Sequence, residues 1–195
     1  MNRRKAIQQT AYLLGGAVSA SVIAGVMSGC QPKGAPDWVP QFLTPEQAKT
    51  IEAIAETILP ETDTLGAKSL HLTEFIDLMV KDVFSGYEQL QFPKGLAKLE
   101  EECQFFTGSN FLNASPEERE KFLVLHEKKG AEIQQETGEK SFISKIKELV
   151  LVGYFTSEYA ITELMNYNPI PQKFEGCVDA AASPKIQVGI EGGSA

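Results

Sequence analysis

Histidine is scarce in this chain. His71 and His126 are the only two among 195 residues, and neither has a second ligand at helical spacing. No zinc site of the histidine-pair kind is expected. His126 stands beside Glu127 in a charged stretch and reads as a solvated side chain. His71 has Asp63 and Glu74 nearby in sequence, and a proton-transfer or metal role would need those carboxylates to converge on it. An ordinary loop histidine is the simpler reading. Other signatures are missing altogether. No glycine fingerprint of a flavin or nicotinamide domain is present, and no Walker loop. Neither the Cys-x-x-Cys-His of covalent haem nor the Gly-x-Ser-x-Gly elbow of a hydrolase occurs. Glu61 and Asp63 are two acids in a turn-rich loop, an unspecific pair, and Glu100-Glu101-Glu102 reads as a solvated face. The expectation is therefore a chain with no catalytic, cofactor-binding or metal-binding residues of its own.

Positive charge is also in short supply. Lys and Arg number 18 against 26 Asp and Glu, for a net charge of −8. Phosphate contacts need clustered Lys and Arg, so nucleic acid is not an expected partner. A polybasic patch for anionic lipid is lacking as well. Three basic residues, Arg3, Arg4 and Lys5, stand at the start, ahead of an uncharged apolar run from Ala11 to Gly29. A run of about 20 residues is just long enough to span a bilayer. This one is rich in Gly, Ala and Ser, which makes a weak permanent anchor. Paired arginines followed by an apolar residue resemble a twin-arginine export signal, a receptor-read address for proteins that cross already folded. Met27-Ser28-Gly29-Cys30 resembles a lipobox, which makes Cys30 the lipidation site and the membrane anchor. The alternative is an uncleaved membrane helix with a free cysteine at its end.

Cysteine is rare too. Cys30 accounts for the odd one of three, leaving Cys103 and Cys177. Outside the cytoplasm two such residues often pair, and a Cys103–Cys177 disulfide is expected; two buried free thiols are the alternative.

The organisation along the chain follows. Residues 1–29 are the signal peptide, 30–43 a Pro-rich tether containing Trp38, 44–182 a helical domain, and 183–195 a disordered tail. Thr44-Pro45-Glu46-Gln47 is a capping box with proline at the first helical position. Ile51, Ile54, Ala55 and Ile58 follow at helical spacing, and Pro60 stops the helix. Residues 60–67 have turn composition, and Gly66 permits a left-handed angle. A second helix is expected from a Thr73 cap, with Phe75, Ile76, Met79 and Val80 on its apolar face. A third is expected from Pro93, carrying Leu96, Leu99, Cys103 and Phe106. Ser115-Pro116-Glu117-Glu118 opens a polar helix with Phe122, Leu125 and Ile133 as its main apolar positions. Ser141 to Met165 is the most apolar stretch, with a break expected at Gly153 and a second piece capped by Thr156. Prolines at 169 and 171 then start an extended C-terminal arm. The fold class is all-α, an irregular bundle of five or six helices. Tyr154, Phe155 and Tyr159 are the clearest aromatic cluster: core packing is the ordinary role for them, partner contact the other.

A family resemblance rests on particular segments. Leu43-Thr44-Pro45-Glu46, the segment Ile58 to Ala67 with its Pro-x-x-Asp-x-x-Gly-Ala pattern, Glu74-Phe75-Ile76-Asp77, Gly153-Tyr154-Phe155-Thr156-Ser157-Glu158 and Phe174-Glu175-Gly176-Cys177-Val178-Asp179 are similar to the small subunit, subunit 3, of membrane-bound gluconate 2-dehydrogenases. The resemblance implies an accessory subunit beside a large FAD-dependent flavoprotein of the glucose–methanol–choline type, often with a cytochrome c subunit that takes the electrons. It implies that FAD resides in the partner, that the small subunit supplies the export signal, and that the complex works on the periplasmic side of a bacterial membrane. No catalytic residue carries over. The competing expectations are a lipid-anchored binding or scaffold protein without an enzyme partner, and a small hydrolase or metal protein using His71.

Overall fold

A computed structural model describes residues 38–167 and 185–188. Arg3, Arg4, Cys30 and Cys177 lie outside the described residues. The all-α expectation is met by five helices and one π turn among the described residues.

Helix α1, Pro45–Ile58, begins at the Thr44 capping box: the Thr44 hydroxyl accepts from Gln47 N, and Gln47 Oε1 accepts from Thr44 N at 2.9 Å. Its stripe of Ala48, Ile51, Ile54 and Ala55 is buried. Helix α2, Leu72–Asp82, starts two residues earlier than a Thr73 cap would allow. Its N-cap is His71 in the left-handed region at φ 53°, and Thr73 is buried in the first turn. Helix α3, Gly86–Thr107, corrects the expectation of a start at Pro93. A Ser85–Glu88 capping box opens it, so Pro93 lies in its interior. The missing N–H leaves the Gln89 carbonyl without its helical donor, at a typical cost of about 3 kcal/mol. Burial of Phe92 and Leu96 on either side offsets this.

Helix α4, Pro116–Thr137, is capped by Ser115 with Glu118, as its sequence indicates, and buries Phe122 and Leu123. Helix α5, Phe142–Phe155, runs through Gly153 without a break. A Cβ there would lie 2.7 Å from the Phe75 ring, so Gly153 is the point where α2 and α5 approach closely. The helix ends instead at Thr156, and the Ser157 hydroxyl, not that of Thr156, accepts from Ala160 N at 3.2 Å at the entry to the next piece. That piece is a π turn, Ala160–Leu164. Two short strands follow: β1, Asn166–Tyr167, pairs in parallel with β2, Gln187–Val188, which falls within the stretch expected to be a tail.

Helix α5 touches each of the other four helices, which explains why its segment is the most apolar. The core is built on Ile51, Ile54, Ile76, Val80, Phe111, Phe122, Ile146 and Val150. Each such side chain contributes about 1.5–3 kcal/mol on burial. Among the described residues no helix is long and apolar enough to cross a membrane.

Asp77 and Cys103 both lie inside this core. Asp77 is fully buried, and its carboxylate accepts backbone N–H groups from Gln41 at 2.7 Å, Phe42 at 3.1 Å and Leu43 at 2.7 Å. The end of the tether is thereby fixed to α2. Cys103 is a free, buried thiol on the inner face of α3, 3.9 Å from the Thr107 hydroxyl, and burial pushes its pKa up. Among the described residues Cys103 carries no disulfide, and its expected partner Cys177 lies outside them. Leu96, Leu99 and Cys103 share one buried helical face, and the thiol behaves as a small apolar side chain.

Candidate functional site

The segment Pro60 to Ala67 is a surface loop shaped by four groups from elsewhere. The Glu56 carboxylate, at the end of α1, accepts from Glu61 N at 3.1 Å and from Lys68 N at 2.8 Å. The Glu61 side chain in turn accepts from the Ser69 hydroxyl. Ala67 N donates to Leu59 O at 2.9 Å, which closes the loop at its base. Gly66 is required for proximity, not for a positive φ: a Cβ there would stand 2.5 Å from Glu61 N. The fourth group is distant in sequence. Leu65 N donates to the Tyr159 hydroxyl at 3.3 Å.

That last bond ties the 60–67 segment to the residue that directly follows the other distinctive segment, 153–158. It also separates the aromatic cluster into three roles. Tyr154 is 6% exposed and belongs to the core, so it is not available for partner contact. Its ring meets Phe155 edge-on at 5.4 Å. Phe155 is 47% exposed at the end of α5. Tyr159 is half-buried and latches the loop. Leu65, 37% exposed, is the apolar tip the latch presents.

A second feature is a groove of about 820 Å³ between α3 and α4. Phe105, Phe106, Leu125, Ile133 and Phe142 line it, with Lys98, Lys129, Lys140, Glu101, Glu102 and Glu139 around them. His126 lies in its wall and is less exposed than its charged neighbours implied. The ring packs on Phe122 at 4.2 Å between centroids, and Nδ1 is 3.4 Å from Glu102. Burial holds its pKa below the usual histidine value, with Lys129 and Lys98 acting in the same direction and Glu102 opposing.

The neutral imidazole is thus preferred in the folded state. Stability from this group is complete above about pH 6.5, the unfolded value, and declines as pH falls toward the lower folded value. A His126→Gln variant should flatten the stability-versus-pH curve below about pH 6.5. Urea unfolding at several pH values measures this; an unchanged slope in the variant refutes it.

The remaining candidates stay apart. His71 is exposed, and among the described residues no group of three or more His, Cys, Asp or Glu is placed to hold a metal. Glu100 is more than a solvated acid: it accepts from the Thr50 hydroxyl at 2.8 Å and from Phe111 N at 3.4 Å, tying α1 and the loop after α3 to one carboxylate.

The fold and this surface define a small helical bundle whose distinctive segments shape an exposed face. The chain belongs to the gluconate 2-dehydrogenase subunit 3 family, whose model matches residues 45–172. It is accordingly a subunit type that associates with other gluconate 2-dehydrogenase subunits. No curated protein and no solved structure matches the chain.

Proposed function

We propose that this chain is a non-catalytic accessory subunit that escorts a glucose–methanol–choline-type FAD-dependent dehydrogenase through twin-arginine export, supports its maturation and holds it at the membrane. The family match over residues 45–172 carries this reading. Arg3, Arg4 and the apolar run after them supply the address. FAD loading belongs in the cytoplasm, so a flavoprotein without its own leader has to fold there and cross in company. The chemistry on gluconate, a sugar or a polyol resides in that partner together with its FAD. A cytochrome c subunit is the electron acceptor where the complex has one. The complex stands on the periplasmic side of a bacterial membrane, tethered by the lipid on Cys30.

Purification of the full chain from cells that also express the flavoprotein tests the association. Flavin absorption bands should accompany the chain. An eluate without flavin or flavoprotein overturns the reading. The anchor has a separate test. A fatty-acid analogue should label the wild type, and Cys30→Ala should lose essentially all of that label; equal labelling of the two refutes lipidation at Cys30.

A further inference from the structure

We propose that the bundle end formed by the 60–67 loop, Tyr159 and the last turn of α5 is the face that docks the flavoprotein subunit, and that the partner meets it with an apolar spot rimmed by Lys and Arg. The inference rests on the accessory-subunit reading above.

The first ground is preorganisation. Glu56 and Tyr159 take three backbone N–H groups of the loop or its border, at Glu61, Leu65 and Lys68. A surface loop held in this way loses little further entropy on binding. It presents Leu65, while Phe155 stands exposed four residues ahead of Tyr159. These two side chains supply the apolar centre.

Charge is the second ground. The loop contains Glu61 and Asp63 and no Lys or Arg, and residues 148–165 contain Glu148, Glu158 and Glu163 and again no Lys or Arg. Among the described residues, Glu61, Asp63 and Glu158 form no ion pair. The nearby cations are engaged within the chain: Lys68 at the loop border pairs with Glu52 at 2.9 Å, and Lys185 donates to the Glu163 carbonyl at 2.7 Å. The acidic excess left around the apolar centre is complementary to a basic rim, which both steers encounter and fixes register. The α3–α4 groove contrasts with this. Its two signs are mixed, with Lys98, Lys129 and Lys140 standing among Glu101, Glu102 and Glu139, and Lys98 pairs with Glu102 at 3.9 Å. That surface carries no excess of one sign.

The experiment uses the full chain co-expressed with the flavoprotein and measures flavin retained per subunit. Phe155→Glu and Leu65→Glu each place a charge in the apolar centre and should lower retention by about tenfold or more. Asp63→Lys with Glu158→Lys should weaken retention at low salt, with the difference from wild type shrinking as salt is raised. Phe105→Glu, at a groove position 94% exposed, is the control and should retain flavin at the wild-type level. Thermal melting of each subunit alone verifies folding. If the wild type holds the flavoprotein and Phe155→Glu and Leu65→Glu hold it equally, the docking face is wrong and the accessory role stands. Loss in Phe105→Glu alone also overturns the face, in favour of the groove. If the wild type holds no flavoprotein, both fail together.

Discussion

Asp77→Ala should lower the unfolding free energy by about 3–5 kcal/mol and free the end of the tether. The carboxylate is fully buried and is the acceptor for three successive N–H groups, those of Gln41, Phe42 and Leu43. Removing it leaves the Leu43 N–H in a buried site and the Phe42 N–H in a half-buried one. A buried donor without a partner costs about 1–3 kcal/mol. The small cavity left beside Ile76 and Val80 adds to this. Asn is the informative comparison. It keeps the volume and one carbonyl oxygen, but turns an NH2 toward a row of donors, so its cost should fall between wild type and Ala. Urea unfolding measures both variants, with a lowered midpoint and an unchanged slope expected. Limited proteolysis adds a local readout, since cleavage before Thr44 should accelerate in Asp77→Ala. An Ala variant within 1 kcal/mol of wild type would falsify the clamp.

Asp77 also illustrates what the sequence makes legible. It lies between Ile76 and Val80 on a face whose other members are buried, so the periodicity places a carboxylate in the core. Its partners, more than thirty residues upstream, follow only from the packing of the tether on α2. Helix starts with local chemistry are readable: Thr44 with Gln47 and Ser115 with Glu118 satisfy their own first-turn donors. The same signature exists at Ser85 with Glu88, and it was the signal that outweighed Pro93 as a helix start. Other features are tertiary. Gly153 is helical because Phe75 needs the space, and His71 caps α2 in a left-handed conformation that no capping rule assigns to histidine. The docking face divides in the same way. Exposed Phe155 and buried Tyr154 are adjacent in one apolar helix, and spacing alone does not say which points inward. The Leu65–Tyr159 bond spans 94 residues and has no local pattern at all.

Changing Arg3 and Arg4 together to Lys should strand this chain in the cytoplasm, and the flavoprotein with it. A twin-arginine address of the kind proposed above is read by a receptor that distinguishes the guanidinium pair, and the lysine ammonium does not reproduce its planar fork of donors. The substitution leaves charge and apolar run intact, so a leader acting only by hydrophobicity and net charge would still work. The partner is expected to cross only while bound. That binding has to survive transit, which favours an interface of above about 2,000 Å² in total. Leu65 and Phe155 supply its centre in the arrangement proposed above. Cell fractionation measures periplasmic dehydrogenase activity and partner protein in the double-Lys strain, and both should fall by about tenfold or more. Pairing the leader change with Phe155→Glu separates address from contact. In Phe155→Glu alone the small subunit should reach the periplasm and the flavoprotein should remain behind. In the double-Lys chain both should remain in the cytoplasm, still bound to each other. A flavoprotein that reaches the periplasm at wild-type level in the double-Lys strain has its own route, and the escort role is then wrong even though the family membership holds.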